Sequence, residues 1–144
     1  MSATSNSCIL SGLTPLPENI FNNDMIYYKT VMNGISGKVI KWAVLAMPKQ
    51  KKAIVKALGT TSGKLSHLYE KSKLNTHQTE EILDIVKLYT EVCDVFGSVD
   101  KADLWLSMSI PALRGEQPID LLDTFIGRKL VRGVINKIKF GDFS

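Results

Sequence analysis

The sequence predicts an all-α protein in two helical parts. Three observations carry that expectation. Apolar residues recur at three- to four-residue spacing through most of the chain after residue 23. Each periodic stretch is bracketed by a helix-capping residue and a Gly or Pro stop. Charge is segregated along the chain: residues 38–73 hold nine lysines against Glu70, residues 74–123 hold ten acidic against three basic residues, and residues 124–144 hold five basic residues against Asp142. A basic block followed by an acidic one suggests two surfaces with different partners. At 144 residues the chain suits one domain or two small ones and can bury a core without a staple.

Residues 1–23 are rich in Ser, Thr, Asn and Pro and read as a flexible leader. Asn23 or Asp24 caps a helix over MIYYKTVMN that closes at Gly34, and its Met25, Tyr28 and Met32 stripe is expected in the core. A second helix starts at Ser36 or Gly37 with Val39, Ile40, Ala43, Val44 and Met47 on one face, and Pro48 ends it. KQKKAIVKAL follows, turning Ile54, Val55 and Leu58 inward and Lys49, Lys51, Lys52 and Lys56 outward until Gly59. Thr60 or Thr61 then caps a fourth helix, SGKLSHLYEKS.

The longest helix opens with Asn75 and Gln78 as a capping box and carries Ile82, Ile85, Val86, Tyr89, Val92, Cys93 and Phe96 to Gly97. Ser98 caps a further helix whose Leu104, Trp105 and Met108 are expected to face a packing partner. The acidic residues of this region read as solvated helix faces. Cys8 and Cys93 stand in unlike contexts, so a reducing cytoplasm, no disulfide and a buried thiol at Cys93 are expected. No apolar run reaches the roughly 18 residues of a membrane span, and the first residues lack the basic and apolar regions of a signal peptide.

Catalytic chemistry has little support. His67 and His77 have no Cys or carboxylate at zinc spacing, and no phosphate-binding glycine loop or nucleophile elbow occurs. No catalytic residue, metal or cofactor is assigned, and a small enzyme is the disfavoured rival.

Two short helices joined by Gly59-Thr60-Thr61 have the spacing of a helix-turn-helix. In that arrangement Thr61, Ser62, Lys64, Ser66 and His67 lie nearest base edges, with Lys49, Lys51, Lys52, Lys71 and Lys73 on phosphates. Arginine, the usual bidentate reader of guanine, is absent from the segment.

At the other end, Pro111, Gly115 and Pro118 punctuate a loop that carries Leu113 and Arg114 at its tip. Beyond it come a short apolar turn, a basic amphipathic helix interrupted by Gly133, and the closing KIKFGDFS. Trp105, then PALRGEQPIDLLDT over 111–124, Gly127 and that ending resemble the C-terminal domain of the Xre/MbcA/ParS antitoxins. Residues 35–97 resemble, more distantly, that family's Xre/Cro-like helix-turn-helix domain. One departure is Arg114, which stands where the family usually has the first loop Gly.

The resemblance implies a leader over 1–23, a helix-turn-helix-like DNA-binding and dimerisation domain over 24–97, and a toxin-binding domain over 98–144. It further implies a type II antitoxin whose partner is a RES-domain toxin, an NAD-consuming enzyme of ADP-ribosyltransferase-related fold. The antitoxin itself would bind no NAD. It would cover the toxin's active site and, as a homodimer within a larger complex, repress its own operon at an operator DNA.

Leu113, Arg114, Gly115, Lys139, Phe140, Gly141, Phe143 and Ser144 are the expected toxin contacts, with Trp105, Leu121 and Leu122 as supporting core. The alternative is a helix-turn-helix regulator without a toxin partner.

Overall fold

A computed structural model describes residues 9–10 and 14–141. Its α-helices are α1 (Asp24–Asn33), α2 (Lys38–Ala46), α3 (Lys51–Ala57), α4 (Leu65–Tyr69), α5 (Thr76–Phe96), α6 (Val99–Leu106) and α7 (Phe125–Lys139), and the described residues contain no strand. The fold is all-α, as expected. Two compact units emerge. One spans Leu13–Lys87; the other comprises Leu88–Ser144 with Met1–Gly12, so the change of unit falls inside α5.

In the N-terminal unit, Asn23 caps α1 by accepting from the Met25 and Ile26 amides at 3.0 and 3.1 Å, and Gly34 at φ 78 ends it. Two apolar stripes overlap on this helix, and packing selects the one the sequence did not mark. Val31 is buried, and the Tyr27 ring, beneath the Lys87 ammonium, lies 6.0 Å from Phe21 at a tilt of 49°. Met25, Tyr28 and Met32 are consequently turned outward, each close to 60% exposed, which corrects their expected place in the core. Leu16 and Ile20 are buried, so this part of the expected leader is packed into the unit.

Helix α2 buries Val39, Ile40 and Ala43 and stops at Met47, ahead of the 3-10 turn Pro48–Gln50 that feeds α3. It packs on α4 at very short range: a Cβ at Gly37 would lie 1.7 Å from the Leu68 carbonyl oxygen. Two backbone bonds hold the segments together, Gly37 N–H to the Lys71 carbonyl at 2.9 Å and Leu74 N–H to the Ile35 carbonyl at 2.7 Å. The helix expected over 62–72 is therefore confined to Leu65–Tyr69, because the chain beyond Tyr69 bonds to the start of α2 instead of extending the helix.

The capping box of α5 forms as expected, with Gln78 N–H donating to Asn75 Oδ1 at 2.8 Å and Asn75 N–H to Gln78 Oε1 at 3.1 Å. Ile82, Leu83, Ile85, Val86, Leu88, Tyr89, Val92 and Cys93 are all buried, a width of apolar surface that makes this helix a spine. Cys93 is disulfide-bonded, not the free thiol its apolar setting suggests. Cross-linking is decided by Cα separation in space, which sequence distance does not report.

In the C-terminal unit Ser98 caps α6 through the Lys101 amide at 3.2 Å. Trp105 turns inward onto Phe96 with centroids 5.4 Å apart, whereas Leu104 and Met108 are exposed, so only one of the three expected inward residues packs. Asp103 corrects the picture of solvated acidic faces. It is buried and accepts from the Tyr89 hydroxyl at 2.7 Å. Burial, and then the bond to Asp103, hold the Tyr89 phenol well above its usual range.

A raised pKa means that the folded state keeps a proton the unfolded chain loses near pH 10, so the stabilisation is complete below that pH and declines above it. Tyr89→Phe is expected to lower stability at neutral pH by about 1–3 kcal/mol and to flatten the alkaline decline. Urea unfolding at neutral and alkaline pH measures both; an unchanged alkaline slope would remove Tyr89 as its source.

Candidate functional site

The basic residues of the N-terminal unit lie at the solvent. Lys49, Lys52, Thr61, Ser62, Lys64, Ser66, His67, Lys71 and Lys73 are exposed and Lys51 is half-buried. Thr61 ties the turn before α4 by accepting from the Lys64 amide through its hydroxyl at 3.2 Å, and Leu65 alone anchors α4 in the core. Thr61, Ser62 and Lys64 therefore precede the five-residue α4, and Ser66 and His67 lie in its first turn.

In the C-terminal unit the loop after α6 is a closed backbone knot. Ile110 N–H donates to the Glu116 carbonyl at 3.1 Å, Gly115 N–H to the Ile110 carbonyl at 3.0 Å, and the Ser109 hydroxyl to the Gly115 carbonyl at 2.6 Å. Pro111–Leu113 forms a 3-10 turn that ends with Arg114 left-handed at φ 57, ψ 35 and Gly115 at φ 85. A left-handed non-glycine residue costs about 1–2 kcal/mol, and here it leaves the Arg114 side chain exposed.

Leu113 behaves differently from its neighbour. It is buried, so its side chain supports the loop from below and is withheld from a partner, which corrects its place among the contact candidates. Trp105 and Leu122 are buried and Leu121 is half-buried, as expected of a supporting core.

The 3-10 turn Pro118–Leu121 and Thr124, which caps α7 through the Gly127 amide at 3.0 Å, bring the chain very close to the helix start. A Cβ at Gly127 would sit 1.9 Å from the Leu121 carbonyl oxygen. Arg128 is buried behind it and donates from Nη1 to the Leu122 carbonyl at 2.9 Å. These contacts fix which side of α7 faces in: Gly127, Arg128, Val131 and Ile135.

The opposite side carries residues the sequence analysis missed. Phe125, Ile126 and Leu130 are 70%, 59% and 52% exposed. Gly133 continues the Ile126–Leu130 row, and a Cβ there would meet nothing within 4 Å. The signal was present, since α7 holds more apolar width than one-sided packing can bury.

At its far end Lys139, Phe140 and Gly141 are exposed; Phe140 is 76% exposed, with the Lys139 ammonium 5.7 Å from its ring centre. Phe143 and Ser144 lie outside the described residues. Beside Lys139 a cleft of about 360 Å³ opens between Glu91, Asp94 and Val95 of α5 and Ile135, Asn136 and Ile138 of α7, with Glu91 ion-paired to Arg132 at 2.8 Å.

A profile described as the Antitoxin Xre/MbcA/ParS C-terminal toxin-binding domain matches residues 93–141, from the end of α5 through the knotted loop to Gly141. Residues 93–141 are thus similar to the C-terminal domain of the Xre/MbcA/ParS antitoxins. A curated relative, the Prs ADP-ribosylating antitoxin of Sphingobium sp. (strain YBL2), is 27% identical over 124 residues, covering 79% of this chain and 78% of its own.

The Arg114 loop and Phe140, and the exposed Phe125, Ile126 and Leu130 of α7, all fall within the matched segment, 93–141. Among the described residues no group of three or more His, Cys, Asp or Glu could hold a metal ion. No described helix is long and apolar enough to cross a membrane.

Proposed function

We propose that this antitoxin neutralises a RES-domain toxin of ADP-ribosyltransferase-related fold by covering its NAD-consuming active site. The observation that carries the proposal is Arg114. A cation is held in a strained backbone conformation on a rigid, closed loop with its side chain at the solvent. Strain of this kind persists where a side chain has a use that a relaxed glycine would not serve.

Arg114 and Gly115 form one edge of the docking surface, and Lys139, Phe140 and Gly141, with Phe143 and Ser144 beyond them, form the other. The apolar row on α7 adds area toward the roughly 1,200–2,000 Å² that a specific complex requires. The relative's printed name, which couples an antitoxin with ADP-ribosylation, supports the class of toxin.

In the same proposal the antitoxin works in the cytoplasm as a homodimer inside a toxin–antitoxin complex. It represses its operon through the exposed lysines and the turn before α4. The functional division falls near Gly97, with residues 24–97 serving DNA and 98–144 serving the toxin.

Co-expression with the neighbouring toxin gene tests this. The antitoxin should restore growth and co-purify with the toxin at fixed stoichiometry. Continued growth arrest, with no complex, would leave the regulator without a toxin partner as the better account.

A further inference from the structure

We infer that the N-terminal unit contains a second basic site, lined by Lys38, Lys41 and Lys71, that clamps the phosphate backbone of nucleic acid. The inference rests on the DNA-binding proposal and adds Lys38 and Lys41 to Lys71, already a phosphate candidate, as one site away from the turn before α4.

The site is an open cavity of about 460 Å³ bounded by those three lysines, the hydroxyl-bearing Ser36, Tyr69 and Ser72, and Glu70. Lys38 and Lys41 lie three apart on α2, so they share a face of that helix. Lys71 arrives from the far end of α4. What joins them is backbone, not side-chain chance: the Gly37–Lys71 and Leu74–Ile35 hydrogen bonds, and an approach at Gly37 that no larger residue permits. The fold thus brings three lysines and a single glutamate to the lining of one cavity. Like charges gathered this way repel one another until an anion is shared between them.

The start of α2 is not what would hold the anion. Its first amides are already engaged, Gly37 with the Lys71 carbonyl, Lys38 with Ser36 Oγ, and Val39 and Ile40 with the carbonyls of Ser36 and Gly37. Binding therefore falls to the lysine side chains. Lysine acts as a flexible point charge on phosphate, without the geometric reading of arginine.

Every residue that lines the cavity carries a polar or charged group, and the three lysines are exposed. Pockets for small molecules are mostly apolar and bury most of their ligand. A polymer backbone crossing an open basic groove fits this site better than an enclosed nucleotide. Sequence-independent phosphate contact of this type positions a protein on a duplex and makes affinity depend on salt.

The test is fluorescence anisotropy of the full-length antitoxin with a labelled duplex of mixed sequence, titrated between about 50 and 200 mM salt. Lys38→Ala with Lys41→Ala should flatten the slope of log affinity against log salt by about 1.8, at about 0.9 per phosphate contact. Lys38→Arg with Lys41→Arg should restore the slope, and circular dichroism should show all variants folded, because both side chains are exposed.

If the alanine pair leaves the slope unchanged while Lys51→Ala with Lys52→Ala flattens it, the clamp is overturned and the DNA proposal stands. A wild-type protein that binds no duplex overturns both. Inorganic phosphate serves as the second probe. Shifts of the Gly37 and Lys38 amide signals on adding it, without duplex binding, would assign the cavity to a free phosphate instead.

Discussion

Alanine at Gly127 is expected to remove at least about 3 kcal/mol from the stability of the C-terminal unit, beyond the usual range for overpacking. The added Cβ would lie 1.9 Å from the Leu121 carbonyl oxygen and 2.8 Å from its carbon, with Thr124 Oγ1 at 2.9 Å. Two of those atoms are backbone, so no side-chain rotation relieves the clash. Either α7 moves away from the Pro118–Leu121 turn or the Thr124 cap breaks. Because Arg128 is bonded to Leu122 just after that turn, movement would also strip a buried charge of this carbonyl partner.

Against a total stability of roughly 5–15 kcal/mol for a domain, the loss is large. Gly133, six residues on in the same helix, should behave in the opposite sense. Nothing lies within 4 Å of a Cβ there, so Gly133→Ala should stabilise the free protein by about 0.5–1 kcal/mol through helix propensity alone. Urea unfolding of both variants measures the pair, and equal effects would contradict the packing described at Gly127.

At Arg114, glycine is expected to separate stability from toxin binding. The left-handed backbone at φ 57 costs arginine about 1–2 kcal/mol that glycine does not incur, so Arg114→Gly should raise the unfolding midpoint. The same change removes an exposed guanidinium from the proposed docking surface, and affinity for the toxin should fall by about 2 kcal/mol or more, roughly 30-fold. Phe140→Ala should weaken the complex by a similar amount with no loss of stability, because the ring is 76% exposed in the free protein. Calorimetric titration against the toxin gives the affinities. Wild-type affinity in both variants would move the interface away from the loop and tail, and the exposed row on α7 would then be the first place to look.

The sequence by itself determined the local half of this protein. Helix order, the caps of α1, α5 and α6, and the stops at Gly34 and Gly97 depend on residues three or four apart. The loop punctuated by Pro111 and Pro118, and the motif that resembles the antitoxin family, are equally local. Hydrogen bonds to a cap oxygen and the steric limits of Gly and Pro act within one turn, so a linear reading captures them.

Which face of each helix is buried was decided only in three dimensions. Met25, Tyr28 and Met32 lost the inward side of α1 to Tyr27 and Val31, Leu104 and Met108 lost that of α6, and Phe125, Ile126 and Leu130 of α7 were left at the solvent. Asp103 became a buried partner of Tyr89 fourteen residues away, and Leu113 a prop beneath Arg114. Lys38, Lys41 and Lys71 came to surround one cavity because two backbone bonds close a loop of more than thirty residues. A helix with two apolar stripes has two nearly equivalent ways to turn, and periodicity cannot rank them. The choice is made by the surfaces that α5, the Pro118–Leu121 turn and the segment ending at Leu74 present once the chain has folded.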